Sequence, residues 1–317
     1  METDTDAVGK ITALQENIEK TIKGKSHVIQ LAIITLLAKG HLLIEDVPGV
    51  GKTTLAHSLA RSLNCSFKRI QFTSDMLPTD ILGVSIYNPA RQEFEFKSGP
   101  IFSNVILADE INRTSPKTQS SLLEAMNEFQ VSIDKKTYPL PRPFIVMATQ
   151  NPLEYQGTFP LPESQLDRFM MRIRIGYPAV EDEKQILKTQ LLNSHVDNLA
   201  PVLSIQDIID LQETVDAIKV DESLMDYILR IVTETRKAEG LDVGVSPRGS
   251  LFLLKTSKAM ATIQGRTYCI PDDIKSMTIP VLAHRVVVNS RFDAYGQRSE
   301  DVERIIQDIL ESVSVPL

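Results

Sequence analysis

The chain has 317 residues, 42% of them hydrophobic and 24% charged, with 34 Lys and Arg against 41 Asp and Glu, a net charge of −7. That length suggests about two domains, and the acidic balance gives no general attraction to nucleic acid or to an anionic membrane. Cys65 and Cys269 lie far apart, match no metal-ligand spacing and read as reduced, buried thiols.

The acidic start, Met1-Glu2-Thr3-Asp4, does not read as a secretory leader. Ile11, Leu14, Ile18 and Ile22 recur at helical spacing, which predicts a helix over 9–21. Ser26 is set to cap a second helix running to Lys39, with Gly40 as its terminator. This helix is apolar nearly all round and so is expected to be buried. The apolar region 28–44 is broken by Gln30, Thr35, Lys39, Gly40 and His41 and falls short of a membrane span. A soluble, cytoplasmic chain is expected.

The strand Leu42-Leu43-Ile44 leads into Asp46-Val47-Pro48-Gly49-Val50-Gly51-Lys52-Thr53-Thr54, followed by the helical spacing of Leu55, Leu59 and Leu63. Strand, glycine-bearing turn, Lys-Thr and helix make a phosphate-binding loop. Pro48 shapes the turn, and the backbone N–H groups of residues 49–54 with the helix N-terminus cradle polyphosphate. Lys52 reaches the phosphates as a point charge, and Thr53 offers a hydroxyl to Mg²⁺. One position departs from the pattern: Asp46 stands where the first glycine belongs. A carboxylate there is unwelcome beside phosphate unless it points away. The turn Ile22–Gly24 upstream either lines an adenine pocket or packs as an ordinary connection.

Phe67–Phe72 alternates like a strand. Ile81–Tyr87 and Phe94–Lys97 flank the turn 88–92 as a β-hairpin, which is either functional or an added sheet edge. Asn104–Glu110 is an apolar run ending in two acids, a strand buried on both faces with carboxylates at the ligand end of an open α/β sheet. Asp109 is placed to hold the Mg²⁺ shell and Glu110 to polarise a water against the γ-phosphate. Ser115-Pro116 opens a helix. Val131–Asp134 and Thr137–Pro139 form a second hairpin that turns on Lys135-Lys136, and Phe144–Thr149 is another buried strand. Asn151 beyond it either holds the attacking water or serves the Asn-Pro turn. Arg168, in Leu166-Asp167-Arg168-Phe169, either pairs with Asp167 or Glu163 or reaches a neighbouring subunit's nucleotide. Met171–Ile175 is the last strand. From Val180 onward the spacing is helical over 181–193, 204–218, 221–238, 247–263, 271–288 and 300–313, with no strand signal. There Ser246-Pro247 starts a helix that brings Arg248 to the mouth of a cleft.

Taken in order, Lys52-Thr53, Asp109-Glu110, Asn151, Arg168 and Arg248 resemble the AAA+ ATPases, and most of all the MoxR family. The stretches Glu45–Gly49, Ala108–Arg113 and Leu166–Phe169 carry the likeness, which spans essentially the whole chain and tolerates Asp46. The resemblance implies an α/β fold: an αβα parallel-sheet nucleotide domain with a hairpin insertion over 1–195, then a helical lid over 196–317. It implies ATP and Mg²⁺ as ligands, Asn151 as the sensor-1 residue, Arg168 as a trans-acting arginine finger and Arg248 as the sensor-2 arginine. It further implies hexameric rings that remodel client protein complexes, with von Willebrand factor A domain proteins among the partners. A ring-forming nucleic-acid translocase is the alternative, weakened by the acidic balance. No Asn is followed by Lys, which removes the guanine-reading motif, and no His begins His-Glu-x-x-His.

Overall fold

The structure is a computed structural model that describes residues 2–152, 157–191, 196–289 and 298–316. Helix α1 (Glu2–Glu19) starts before its predicted position and buries Ile11, Leu14 and Ile18. α2 (Ser26–Leu37) begins on Ser26 itself, its cap position being Lys25, which makes no side-chain cap. Lys39 (φ +57°), not Gly40, makes the left-handed turn that ends it. Gly40 is needed for space instead, since a Cβ there would lie 2.4 Å from the Met170 sulfur.

β1 (Leu42–Glu45), α3 (Lys52–Ser62), β2 (Phe67–Gln71) and the short α4 (Pro78–Leu82) follow. The first hairpin, β3 (Gly83–Asn88) with β4 (Glu93–Ser98), therefore starts later than predicted, because Ile81 and Leu82 end α4. Next come β5 (Val105–Asp109), α5 (Pro116–Glu128) and the second hairpin, β6 (Gln130–Ile133) with β7 (Lys136–Pro139). That hairpin turns on Asp134 and Lys135, both at positive φ, rather than on Lys135-Lys136. Two left-handed residues give the twist that matches the flanking strands. Phe96 stacks on Tyr138 at 4.3 Å and joins the two hairpins.

β8 (Ile145–Gln150), α6 (Glu163–Leu166) and β9 (Met171–Ile173) complete a five-stranded parallel sheet in the order β2-β5-β8-β1-β9. Every residue of β5 is buried, as the apolar run requires. Because all strands run the same way, the C-terminal ends of β1, β5 and β8 open on one edge.

α7 (Val180–Leu191), α8 (Ile205–Ala217), α9 (Glu222–Lys237), α10 (Pro247–Ile263), α11 (Pro271–Leu282) and α12 (Arg298–Ser312) form the helical part. The last two residues of the predicted helix 181–193, and the predicted boundary at 195, fall at residues 192–195, outside the described ones. Two expectations fail here. α11 stops at Leu282, and a ribbon of β10 (Leu241–Val243) with β11 (Val287–Val288) is present where no strand was expected. Residues 283–286 leave the helix so that His284 and Arg285 turn onto the core, and the β-branched pair after them pairs as a strand. One apolar cluster runs from α1 and α2 into α8–α11, so the helical part shares a core with the first two helices. Among the described residues, no helix is long and apolar enough to cross a membrane. Cys269 is buried and Cys65 half-buried, and both are free thiols. Burial pushes their thiols up to about 12 and about 11.

Candidate functional site

Gly51, at φ +98° in the left-handed region, caps α3, and Gly49 is also left-handed at φ +86°. A Cβ at either would meet nothing within 4 Å, so the glycines serve backbone conformation and not space. Lys52 begins α3 and donates to the Asp46 carbonyl at 2.6 Å. The Asp46 carboxylate points away from the loop's mouth. It accepts from Val47 N at 2.8 Å and from Ile175 N and Gly176 N at 2.7 Å each, fastening the loop to the chain leaving β9. The departure from the glycine pattern is therefore a staple, not a charge facing phosphate.

Asp109 ends β5 and Glu110 follows at φ +58°, a left-handed residue that is not glycine. Such a backbone costs about 1–2 kcal/mol, and here it aims the second carboxylate beyond the strand end. Thr149 on β8 ties the two acids together. Its Oγ1 donates to Asp109 Oδ1 at 2.6 Å and accepts from Glu110 N at 2.9 Å. From β2, Arg69 donates to Asp109 Oδ2 through Nε at 3.0 Å and Nη2 at 2.6 Å, and Gln71 donates to Glu110 Oε2 at 2.6 Å. Arg113 lies 3.0 Å from the same Glu110 oxygen.

A cavity of about 360 Å³ is lined by Pro48, Gly49, Gly51, Lys52, Thr53, Thr54, Arg69, Asp109, Glu110 and Asn151. The structure thus gathers the loop, both acids and Asn151 into one place. Val50 turns inward and packs on the core. Arg168 and Arg248 do not line this cavity. Arg168 pairs with neither Asp167 nor Glu163 but donates to the Leu123 carbonyl at 2.9 Å. Arg248, in the first turn of α10, lies 3.6 Å from Asp167. Ser246 caps α10 as expected and also donates to both Asp167 oxygens, at 2.9 and 3.0 Å.

Ile22 and Gly24 line a separate opening with Glu16, Glu19, Lys20, Lys23 and Ser26. The link to the loop is indirect: Lys25 donates to the Tyr177 carbonyl at 2.8 Å, next to the segment that Asp46 holds. Gly24 is left-handed (φ +68°), and a Cβ there would lie 1.8 Å from the Asp182 carboxylate. Sequence reasoning missed Arg69, Gln71 and Thr149. The alternation of Phe67–Phe72 put Arg69 and Gln71 on one face, but nothing in the sequence said which strand they would neighbour.

Residues 41–171 match the model of the ATPase family associated with various cellular activities, and residues 233–309 match the AAA lid domain. The chain is 48% identical to YeaC of Bacillus subtilis, across 95% of this chain and 93% of that protein. It is 41% identical to Chaperone MoxR1 of Mycobacterium tuberculosis, across 94% and 80%. The crystal structure of a candidate ATPase from Cytophaga hutchinsonii superposes with a TM-score of 0.92 at 38% identity, covering 100% of this chain and 98% of that one.

Proposed function

The chain belongs to the MoxR family of AAA+ ATPases, and from that premise we propose that it binds and hydrolyses Mg²⁺–ATP in the Lys52 cavity and uses the cycle to remodel partner proteins. What carries the reading is the convergence of Lys52, Thr53, Asp109, Glu110 and Asn151 on one cavity from three adjacent strand ends. The residues suit the ligand. The glycine turn is open, Thr53 is exposed, and the Asp109 carboxylate is aligned by Thr149, with only the half-exposed Arg69 across its outer oxygen.

Lys52 exchanges the Asp46 carbonyl for phosphate oxygens. Thr53 and Asp109 would hold Mg²⁺, which when bound would supply positive charge against that of the phosphate chain. Glu110 orients and polarises the attacking water, with Asn151 holding it from the β8 side. Arg248 senses the nucleotide from the lid, and the base end lies toward the Ile22–Gly24 turn. Arg168 does not line its own cavity and, in a hexameric ring, supplies the site of the next subunit. The chaperone role follows the name of the Mycobacterium tuberculosis relative, Chaperone MoxR1, with client complexes and von Willebrand factor A domain proteins as partners in the cytoplasm.

Lys52→Ala should abolish ATP binding by calorimetry, whereas Glu110→Gln should bind ATP yet lose turnover. Arg168→Ala should also bind ATP but hydrolyse about 10³–10⁵ more slowly, the usual contribution of an arginine finger. Mixed rings of Arg168→Ala and Lys52→Ala subunits pair an intact cavity with an intact finger and should regain activity. Co-assembly without any recovery would sink the trans role. Clients are read by capture on the Glu110→Gln variant.

A further inference from the structure

The lid does not merely rest on the core near Arg168; it grips the backbone on both sides of it. Arg285 is wholly buried, with its Nε 3.1 Å from Asp167 Oδ1. Its terminal nitrogens donate to the carbonyls of Asp167 and Met170, each at 3.4 Å, and to that of Phe169. His284 adds a 3.0 Å contact to the Phe169 carbonyl. The guanidinium lies 5.0 Å from the Phe252 ring centroid. Gly249 leaves room for it, since a Cβ there would come within 3.0 Å of the Arg285 side chain. Asp167 also takes Ser246 and faces Arg248, so its carboxylate gathers the cap and the arginine at the start of α10. The segment so held is the one from which Arg168 projects, and among the described residues the Arg168 side chain bonds to the Leu123 carbonyl of α5.

We propose that Asp167 and Arg285 are positioning residues for Arg168: by clamping the carbonyls of residues 167, 169 and 170, the lid of one subunit sets the arginine offered to its neighbour's nucleotide. This rests on the trans reading of Arg168. A fork of planar donors suits the task, because an ammonium cannot hold several carbonyls in fixed directions. Burial pushes the Arg285 guanidinium down to about 9, against the pull of Asp167, and leaves it charged at neutral pH.

Two variants keep the buried charges balanced and so preserve the fold. Arg285→Lys retains the charge and loses the fork. Asp167→Asn with Arg285→Met removes both charges together, which avoids an unpaired buried ion. In each, ATP affinity by calorimetry should stay within about threefold of wild type while kcat falls at least about tenfold, the double variant more. Mixing the double variant with Lys52→Ala subunits should restore activity, because the partner supplies a correctly held Arg168. A role confined to the variant's own cavity gives no such recovery. Unchanged kcat, or ATP affinity lost in step with kcat, overturns the proposal. So does failure of the double variant to recover in mixtures where Arg168→Ala does recover. If Arg168→Ala also fails to recover in co-assembled rings, it is the trans reading that falls, and this inference falls with it.

Discussion

Two aspartates in this molecule each hold an arginine from another element, and their surroundings set them apart. At the cavity mouth Asp109 takes Arg69, whose side chain is 49% exposed. In the joint between core and lid Asp167 takes Arg285, whose side chain is 0% exposed. The first pair is wet on one side, so breaking it lets both charges find water and it gains little by forming. It is exchangeable, because water can replace either partner. The second is dry on the arginine's side, and separating it strands a charge. It is a fixed joint, and its position is set by Gly249, Phe252 and the carbonyls of Asp167, Phe169, Met170 and Val281 more than by charge alone. The same two side chains thus make a replaceable contact or a structural one according to what water can reach.

The largest effect should come from breaking the dry pair on one side only. Arg285→Ala leaves Asp167 half-satisfied and several carbonyls without donors, and should cost about 3–5 kcal/mol of stability, read as a shift in denaturant midpoint. A loss below about 1 kcal/mol would mean that the joint is as exchangeable as the cavity pair.

Acid should reach the dry side next. His284 in the joint is held well below the usual histidine range by burial and by the neighbouring Arg285 and Arg172. His41, just before β1, is lowered by burial to about 4. Both are neutral when folded, and the unfolded chain binds their protons below about pH 6.5. Stability from each is therefore complete above that value and is lost as pH falls toward the folded pKa. At about 1.4 kcal/mol per pH unit, His41 alone accounts for roughly 2 kcal/mol between pH 6.5 and 5. Thermal or denaturant unfolding at the two pH values measures it, and a flat profile would show that these rings titrate freely.

The smallest effect belongs to the wet pair. Arg69→Ala should change stability by less than about 1 kcal/mol, because half of the side chain is already in water. Denaturant titration of Arg69→Ala beside Arg285→Ala gives the contrast directly. Equal losses would erase the distinction.

Much of this protein was legible in one dimension because its chemistry is local in sequence. Gly49, Gly51, Lys52 and Thr53 act within one turn, and Asp109-Glu110 ends one apolar strand, so spacing and hydropathy suffice to find them. The helices of the lid showed in their apolar period for the same reason. What needed the tertiary structure was every partner that arrives from elsewhere. Asp46 looked like a flaw until Ile175 and Gly176 were seen to donate to it, about 130 positions away. Arg69, Gln71 and Thr149 became part of the site only once the strand order set β2 and β8 on either side of β5. The end of α11 and the β10–β11 ribbon went unread because the core loop at 167–170 pulls residues 283–286 out of a helix that their own spacing would continue. Periodicity reports which face of an element is apolar. It does not say what that face will meet, and burial, ion pairing and pKa are all decided by the meeting.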